Sequence, residues 1–485
     1  MLKQCLKIMG IALIMCLIPS IAYAEDGKTV SYQGLTFFCE TGSIENKVSL
    51  EGTKNKEIFI NQGGEYTITG TWDVTAAGWD AYTFPNAVLT IETKENVTII
   101  LDNVSITAPN IDLQSRQIAG ILCGDNSNVH IVLKGENKID CSTYYNNSHS
   151  TGSAGIGTGT DANLVISGSG TLTAKGGQNH PAIGAIFSKQ NANITINGGT
   201  VHAIGGSQGA GIGCYGGTSG SIGKILIEET NGEKIFITAE GGKNSGAGIG
   251  AGYETGFSEI RIESGTVRAS STNVSRSWSS GAGIGGSGND SFAVRLGKII
   301  INGGVVEATG TAYGAGIGGG SGQLADVEIT GGKITAVGKW YGAGIGGGDG
   351  SKGTANLNIK DADVVAVSRF AEGIGAGSNG IAPGIELSNM SDLRVFSGQQ
   401  LAINEGAVVT DCSILNTQFN EPLPYSVNLL QGFADAIMLQ SIPADMKSFA
   451  YAFGEGGKKY KYNMGVRQKN MHVIQMVGIN LIFNY

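Results

Sequence analysis

The sequence has little proline, little charge and no long apolar run beyond its first residues. Of the 485 residues only 8 are proline, and 15% are Asp, Glu, Lys or Arg. After residue 24 no apolar stretch reaches the roughly 18 residues that a membrane-spanning helix requires, and no segment shows the 3.6-residue apolar period of an amphipathic helix. These absences argue against a helical protein and against stable membrane insertion of the mature chain.

The first 24 residues have the pattern of a secretory signal peptide. Lys3 and Lys7 precede an apolar stretch over residues 8–18, and the small residues of 22-AYA stand directly before Glu25. We therefore expect cleavage after Ala24 and a mature protein that is secreted or held at the cell surface.

The charge balance disfavours nucleic acid as a partner. The formal net charge is −8, and removal of Lys3 and Lys7 with the leader takes it to −10, so the phosphate backbone of a nucleic acid would be repelled.

Five cysteines follow residue 24, an odd number without the spacing of a zinc site. Cys123 and Cys214 are predicted to be small fillers of the core rather than a disulfide.

Glycine, in contrast, is abundant, and much of it lies in one short sequence motif that is repeated along the chain. The chain has 79 glycines, and copies such as 246-GAGIGAG, 281-GAGIGGSG, 314-GAGIGGG and 342-GAGIGGG repeat through its middle. The central isoleucines of the nine copies are Ile121, Ile156, Ile183, Ile212, Ile249, Ile284, Ile317, Ile345 and Ile374. A roughly constant spacing with variable insertions predicts a fixed structural unit that is repeated along a solenoid.

Each copy continues with two short alternating runs around a corner, as in 325-ADVEITGGKITAVG. Alternation of apolar and polar residues predicts a strand with one buried face, and Gly-Gly supplies the bend between two strands. Together with the AGIG strand, each unit holds three strands and three corners. Because one unit cannot bury its apolar edge alone, stacked units must build the core. The sequence thus predicts an all-β parallel β-helix.

The repeat divides the chain into four parts. Residues 1–24 form the signal peptide, 25–62 a lead-in or cap, and 63–418 the β-helix. From residue 419 to 485 the composition changes and the runs alternate around 454-GEGG, so we expect a small C-terminal antiparallel β module there.

A resemblance to a known family can be stated on these motifs. The stretches 64-GEYTITGTW, 96-NVTIILDNVSIT and 154-AGIGTGTDANLVISGSGTLTAKGG look like the β-helical carbohydrate-binding-domain family of bacterial surface proteins, whose fold is similar to that of pectate lyases. The later GAGIGGG copies resemble repeats of secreted proteins of gut bacteria. The resemblance implies a right-handed parallel β-helix that binds a polysaccharide, and it extends to acidic polysaccharides and to binding assisted by Ca²⁺.

Two aspartates are candidate metal ligands. Asp290 lies in 285-GGSGNDSFA, which matches one nonapeptide of the calcium-roll pattern, and Asp349 follows another GIG copy. The alternative is an ordinary Asp turn. A polysaccharide lyase would in addition need an arginine as base, and Arg261 and Arg268, at the same corner as Glu259 and Glu263, come nearest to a mixed cluster. The alternative is a solvated strand face on which these opposite charges only screen one another.

Aromatic residues give the clearest indication of binding. Tyr313, Tyr341 and Phe370 each stand four positions before their repeat isoleucine, and Trp340 and Trp278 are close to equivalent positions. Such a row of rings could stack against sugars, or it could be a ladder that stabilises a corner.

The leading hypothesis is a non-catalytic, secreted carbohydrate-binding β-helix. A calcium-dependent polysaccharide lyase and a structural or adhesive spacer are the alternatives.

Overall fold

A computed structural model describes the greater part of the predicted β-helix. The described residues are 29–32, 35–38, 47–49, 58–73, 87–110, 118–144, 153–186, 188–217, 221–272, 280–288, 297–352, 355–397, 402–404, 406–419 and 462–463. The predicted signal peptide lies outside them, as does the predicted C-terminal module apart from Phe419 and residues 462–463. The boundaries of these parts therefore stay predictions.

The described residues form strands and turns and contain no helix. The strands are β1 Thr29–Tyr32, β2 Leu35–Phe38, β3 Lys47–Ser49, β4 Ile58–Ile60, β5 Gly64–Asp73, β6 Ala87–Ile91, β7 Asn96–Asn110, β8 Ile118–Cys123, β9 Asn128–Lys134, β10 Glu136–Tyr144, β11 Ser153–Thr158, β12 Asn163–Gly168, β13 Thr171–Lys175, β14 Ile183–Ala185, β15 Ala192–Ile196, β16 Gly199–Ile204, β17 Ile212–Cys214, β18 Ser221–Ile227, β19 Ile235–Glu240, β20 Ile249–Gly250, β21 Gly256–Ile262, β22 Thr266–Ser270, β23 Ile284–Gly285, β24 Lys298–Ile301, β25 Val305–Gly310, β26 Ile317–Gly318, β27 Asp326–Ile329, β28 Lys333–Gly338, β29 Ile345–Gly346, β30 Asn356–Lys360, β31 Asp363–Ser368, β32 Ile374–Gly375, β33 Gly384–Ser397, β34 Val408–Phe419 and β35 Tyr462–Asn463. None of the described residues forms a helix long and apolar enough to cross a membrane.

These strands make three parallel columns around one core. The Ile–Gly column contains β8, β11, β14, β17, β20, β23, β26, β29 and β32. The first continuation column contains β9, β12, β15, β18, β21, β24, β27 and β30, and the second contains β10, β13, β16, β19, β22, β25, β28 and β31. Each turn adds one strand to each column. The predicted all-β, right-handed parallel β-helix is confirmed.

The repeat isoleucines form the expected ladder. Ile284 pairs with Ile317, and Ile317 pairs with Ile345. All nine of these side chains are fully buried in one core cluster with the inward residues of the continuation columns. Cys123 and Cys214 lie two positions further along their strands, in the same core cluster, as free, buried thiols, and burial raises the pKa of each to about 12.

A glycine follows eight of the nine ladder isoleucines, and at seven of these positions the backbone angle requires it. Gly318 has a φ of 133°, a backbone conformation that residues other than glycine rarely adopt. A Cβ at this position would also overlap the carbonyl oxygen of Gly346 in the next turn. The Ile–Gly dipeptide therefore makes a two-residue strand possible where the turns approach most closely.

Different strands close the two ends of the described rod. At the first turns, β1 pairs antiparallel with β2 and β4. At the last turns, β33 and β34 each extend through both continuation columns, and β35 pairs antiparallel with the end of β34.

Candidate functional site

The predicted aromatic residues form one stacked group at a corner of the rod. The Tyr313 and Tyr341 rings lie 5.2 Å apart at 12°, and the Tyr341 and Phe370 rings lie 5.1 Å apart at 19°. Trp340 stacks beside them, 6.2 Å from Tyr341 and 5.6 Å from Phe370. All four side chains are half-buried. We call Tyr313, Trp340, Tyr341 and Phe370 the aromatic strip.

The parallel register of the turns brings these rings together. Each ring follows a strand of the second continuation column and precedes an Ile–Gly strand. The backbone N–H of Tyr341 donates to Ala312 O at 2.8 Å, and that of Phe370 donates to Trp340 O at 2.8 Å. Because successive turns are about 4.8 Å apart, equivalent rings come into face-to-face contact. Trp278, the fifth predicted member, lies outside the described residues.

One basic side chain contacts the strip, and a second basic residue precedes it in the chain. The Arg369 guanidinium carbon lies 4.4 Å from the Trp340 ring centroid and 4.9 Å from that of Phe370, within the range of a cation–π interaction. Lys339 precedes Trp340, and burial lowers the pKa of its ammonium. We did not predict either cation from the sequence. The signal was a basic residue directly before an aromatic one at the same corner, in 339-KWYGAGIG and 369-RFAEGIG.

Asp349 lies next to the strip. It occupies a turn closed by a hydrogen bond from Ser351 N to Gly348 O at 3.2 Å, and its own N–H donates to Tyr313 O at 2.7 Å. Its side chain is buried, and Asn379 Nδ2 donates to its Oδ1 at 3.2 Å. The turns before and after the Ile–Gly strand therefore converge, and this convergence joins two parts of the predicted site.

The described residues do not gather a set of acidic ligands around Asp349. No group of three or more His, Cys, Asp or Glu occurs in this part of the chain, whereas Ca²⁺ takes six to eight oxygen ligands. One carboxylate with an amide neighbour is a weak fit to that requirement. Asp290, the other predicted metal ligand, lies outside the described residues. Calcium binding stays a prediction at both positions.

The mixed cluster around Arg261 is a closed ion-pair network. Arg261 Nε lies 2.8 Å from Glu259 Oε1, and Nη1 lies 3.3 Å from Glu263 Oε1. The hydrogen bond with Glu259 raises the pKa of Arg261 and lowers that of Glu259. A guanidinium held in its charged form by two carboxylates is poorly suited to take a proton from a substrate. This geometry favours a strand face with mutually compensating charges over the catalytic centre of a lyase.

Comparison with known proteins identifies the repeat. Six segments of the chain match the family model described as Beta helix repeat. They are residues 164–186, 194–217, 236–253, 260–288, 299–321 and 327–349. No curated protein and no solved structure matches the chain significantly. The beta helix repeats include Tyr313, Trp340 and Tyr341 and end at Asp349, so most of the candidate site is built on the repeat itself.

Proposed function

We propose that this β-helix repeat protein is exported and binds a polysaccharide along the aromatic strip, without catalysing a reaction there. The observation that supports the proposal is the row of four half-buried rings, 5.1 to 6.2 Å apart, at a corner of the rod where Arg369 lies over two of the rings. Rings that keep a fixed spacing on a repeat can contact several sugar units of one chain.

The strip favours a ligand that makes many weak contacts. Because the rings cover much of one another's faces, a sugar chain meets their outer edges, the faces at the ends of the row and the hydroxyl groups of Tyr313 and Tyr341. An aromatic contact contributes about 0.5 to 1.5 kcal/mol, so removing one ring weakens binding several-fold. Removing three rings nearly abolishes it.

The neighbouring cations indicate the class of sugar. Arg369 places positive charge over two of the rings and Lys339 directly precedes Trp340 in the chain, whereas the whole sequence carries a formal net charge of −8. A polysaccharide that carries carboxylate or sulfate groups gains a charge-assisted hydrogen bond at this corner and is less attracted to other parts of the surface. We therefore expect acidic glycans to bind more tightly than neutral ones.

The direct test is a glycan array probed with the mature protein, with and without a calcium chelator. The array includes neutral and acidic polysaccharides, and the strip variant is Tyr313→Ala/Trp340→Ala/Tyr341→Ala. Tyr253→Ala is the matched control, because Tyr253 is a half-buried tyrosine at a corner outside the strip. We expect the triple variant to lose the signals that the control retains. Equal glycan binding by parent and triple variant would refute the proposal.

A second candidate function, a structural spacer, is favoured by one specific observation. The rings of Tyr313, Tyr341 and Phe370 stack face to face, as they would in a ladder that only stabilises the corner. The two functions differ in what the substitutions change. A large drop in melting temperature with unchanged glycan affinity supports the spacer.

A further inference from the structure

The last turns of the rod carry an apolar patch on the outside. In β28, β31 and β33 the inward residues Ile334, Val364 and Leu393 belong to the core cluster. Strand alternation directs the intervening residues away from the core. They are nevertheless buried, and they stand apart from the core cluster: Thr335 4%, Val337 1%, Val365 1%, Val367 0% and Phe396 3% exposed. We call these five residues the outer apolar face.

The same positions are polar and accessible in earlier turns. One row of paired residues runs Thr238, Arg268, Glu307, Thr335, Val365, and a second runs Glu240, Ser270, Thr309, Val337, Val367, Phe396. The first three members of each row are half-exposed or exposed, and the later ones are buried. Since the neighbouring strands are equivalent in all these turns, a further layer must cover the outer apolar face.

Arg394 supports the presence of this layer. It lies in the row of Thr335 and Val365, is only 4% exposed, and binds Asp392 through Nε at 2.6 Å and Nη2 at 2.7 Å. Its Nη1 has no hydrogen-bond partner among the described residues. A guanidinium on an outward position stays in water unless something covers it, so this burial marks a contact surface rather than a bare strand.

The path of the chain indicates what covers the face. Strand β34 pairs with β33, so that Thr417 lies beside Phe396 and Gln418 beside Ser397, and the chain continues from Phe419 at this edge. Asn463 and Tyr462 return to pair with Gln418 and Phe419. The segment between them therefore begins and ends at the edge of the outer apolar face. The N-terminal strands β1 to β4 pair at the opposite end of the rod.

We propose that the C-terminal segment, residues 420–485, docks on the outer apolar face and forms a second layer over the last three turns. Its composition suits this role, because eight of the eleven residues from 473 to 483 are Val, Ile, Leu, Met or Phe. An apolar segment and an apolar face gain stability from mutual burial. The proposal is independent of glycan binding.

Site-specific photocrosslinking in the full mature chain tests the proposal. Benzoylphenylalanine replaces Val365 in one variant and Thr335 in a second, so that the test does not depend on one position. Thr238, in the same row but half-exposed, is the control position. Mass spectrometry of the digested monomer should show crosslinks from positions 365 and 335 to peptides of residues 420–485, and none to these peptides from position 238. Crosslinks to a second copy, or only to neighbouring turns of the rod, would overturn the proposal.

A second experiment measures release of the segment. Val365→Asp/Val367→Asp places two carboxylates on the face, where they cannot be buried without a partner, and Thr238→Asp is the matched control. Trypsin should cleave within residues 447–469 at least about tenfold faster in the double variant than in parent or control, while the rod fragment stays intact. Parent cleavage as fast as that of the double variant would contradict docking.

Discussion

Lowering the pH should destabilise the rod through one buried histidine, His180. It is 1% exposed, and its ring lies edge-on to Tyr215 at 4.7 Å. Nδ1 donates to Gln178 O at 3.1 Å, and buried Nε2 has no hydrogen-bond partner among the described residues. Burial lowers the pKa of His180 to about 4, so the folded protein keeps the ring neutral.

The sign of the effect follows from the two pKa values. The pKa is about 6.5 in the unfolded chain and about 4 in the folded one, so below pH 6.5 the unfolded state takes up the proton first. The contribution of His180 to stability is fully present above pH 6.5 and is lost as the pH falls toward 4. Between pH 7.5 and 4.5 the loss amounts to roughly 2.5 kcal/mol.

Denaturant unfolding of three proteins at pH 7.5 and pH 4.5 measures this loss. Other groups also titrate in this range, so the parent is compared with His180→Asn, which keeps an N–H donor for Gln178 O but cannot be protonated. His202→Asn is the control, because His202 is half-exposed on the outside of the rod. Between pH 7.5 and pH 4.5 we expect His180→Asn to lose less stability than the parent. The control His202→Asn should lose as much stability as the parent. Equal losses in all three proteins would refute the argument.

Other predictions concern the ladder and its C-terminal end. Ile317→Asp should lower the melting temperature severely, because an unpaired carboxylate would enter the dry interior; a parent-like melting curve would mean that Ile317 does not lie inside. Gly318→Ala should be far more destabilising than Gly350→Ala, since an added Cβ meets the next turn at Gly318 and nothing within 4 Å at Gly350. The Gly350 change should cost only about 1 kcal/mol for its φ of 63°, and equal unfolding free energies would contradict the account. Burial raises the pKa of Glu372 in the folded state. As the pH rises, the unfolded chain therefore loses this proton more readily than the folded protein, and the folded state becomes less stable. Glu372→Gln should therefore gain stability over the parent at pH 8 but not at pH 4, and a pH-independent difference in unfolding free energy would show otherwise.

Much of the fold could be predicted from the sequence, because the repeat encodes it locally. The Ile–Gly dipeptide needs both a buried ladder position and a backbone angle that favours glycine, and its recurrence after eight of the nine ladder isoleucines leaves few alternatives. The stacking of Tyr313, Tyr341 and Phe370 was also predictable in outline, since equivalent positions in a parallel solenoid must lie one turn apart.

The rest of the candidate site depends on how corners meet, which spacing does not encode. The proximity of Asp349 to Tyr313 arises because the turns on both sides of an Ile–Gly strand converge. The position of Arg369 over Trp340 depends on side-chain rotamers in neighbouring turns.

The outer apolar face was missed for a different reason. In 364-VVAVS the residues on both sides of the strand are apolar or small, so the alternation that marks a solvent-facing strand is absent. A continuous apolar run in an otherwise alternating repeat indicates a second covered side, and this signal was available in the sequence.

The most direct test of the proposed function is titration calorimetry of the mature protein with an acidic polysaccharide identified on the array. Parent, Tyr253→Ala and the triple strip variant Tyr313→Ala/Trp340→Ala/Tyr341→Ala are compared, and the melting temperature of each is recorded. The account predicts that the parent and Tyr253→Ala bind alike and that the triple variant, still folded, loses nearly all measurable binding. Undiminished affinity in a folded triple variant would contradict the role of the aromatic strip.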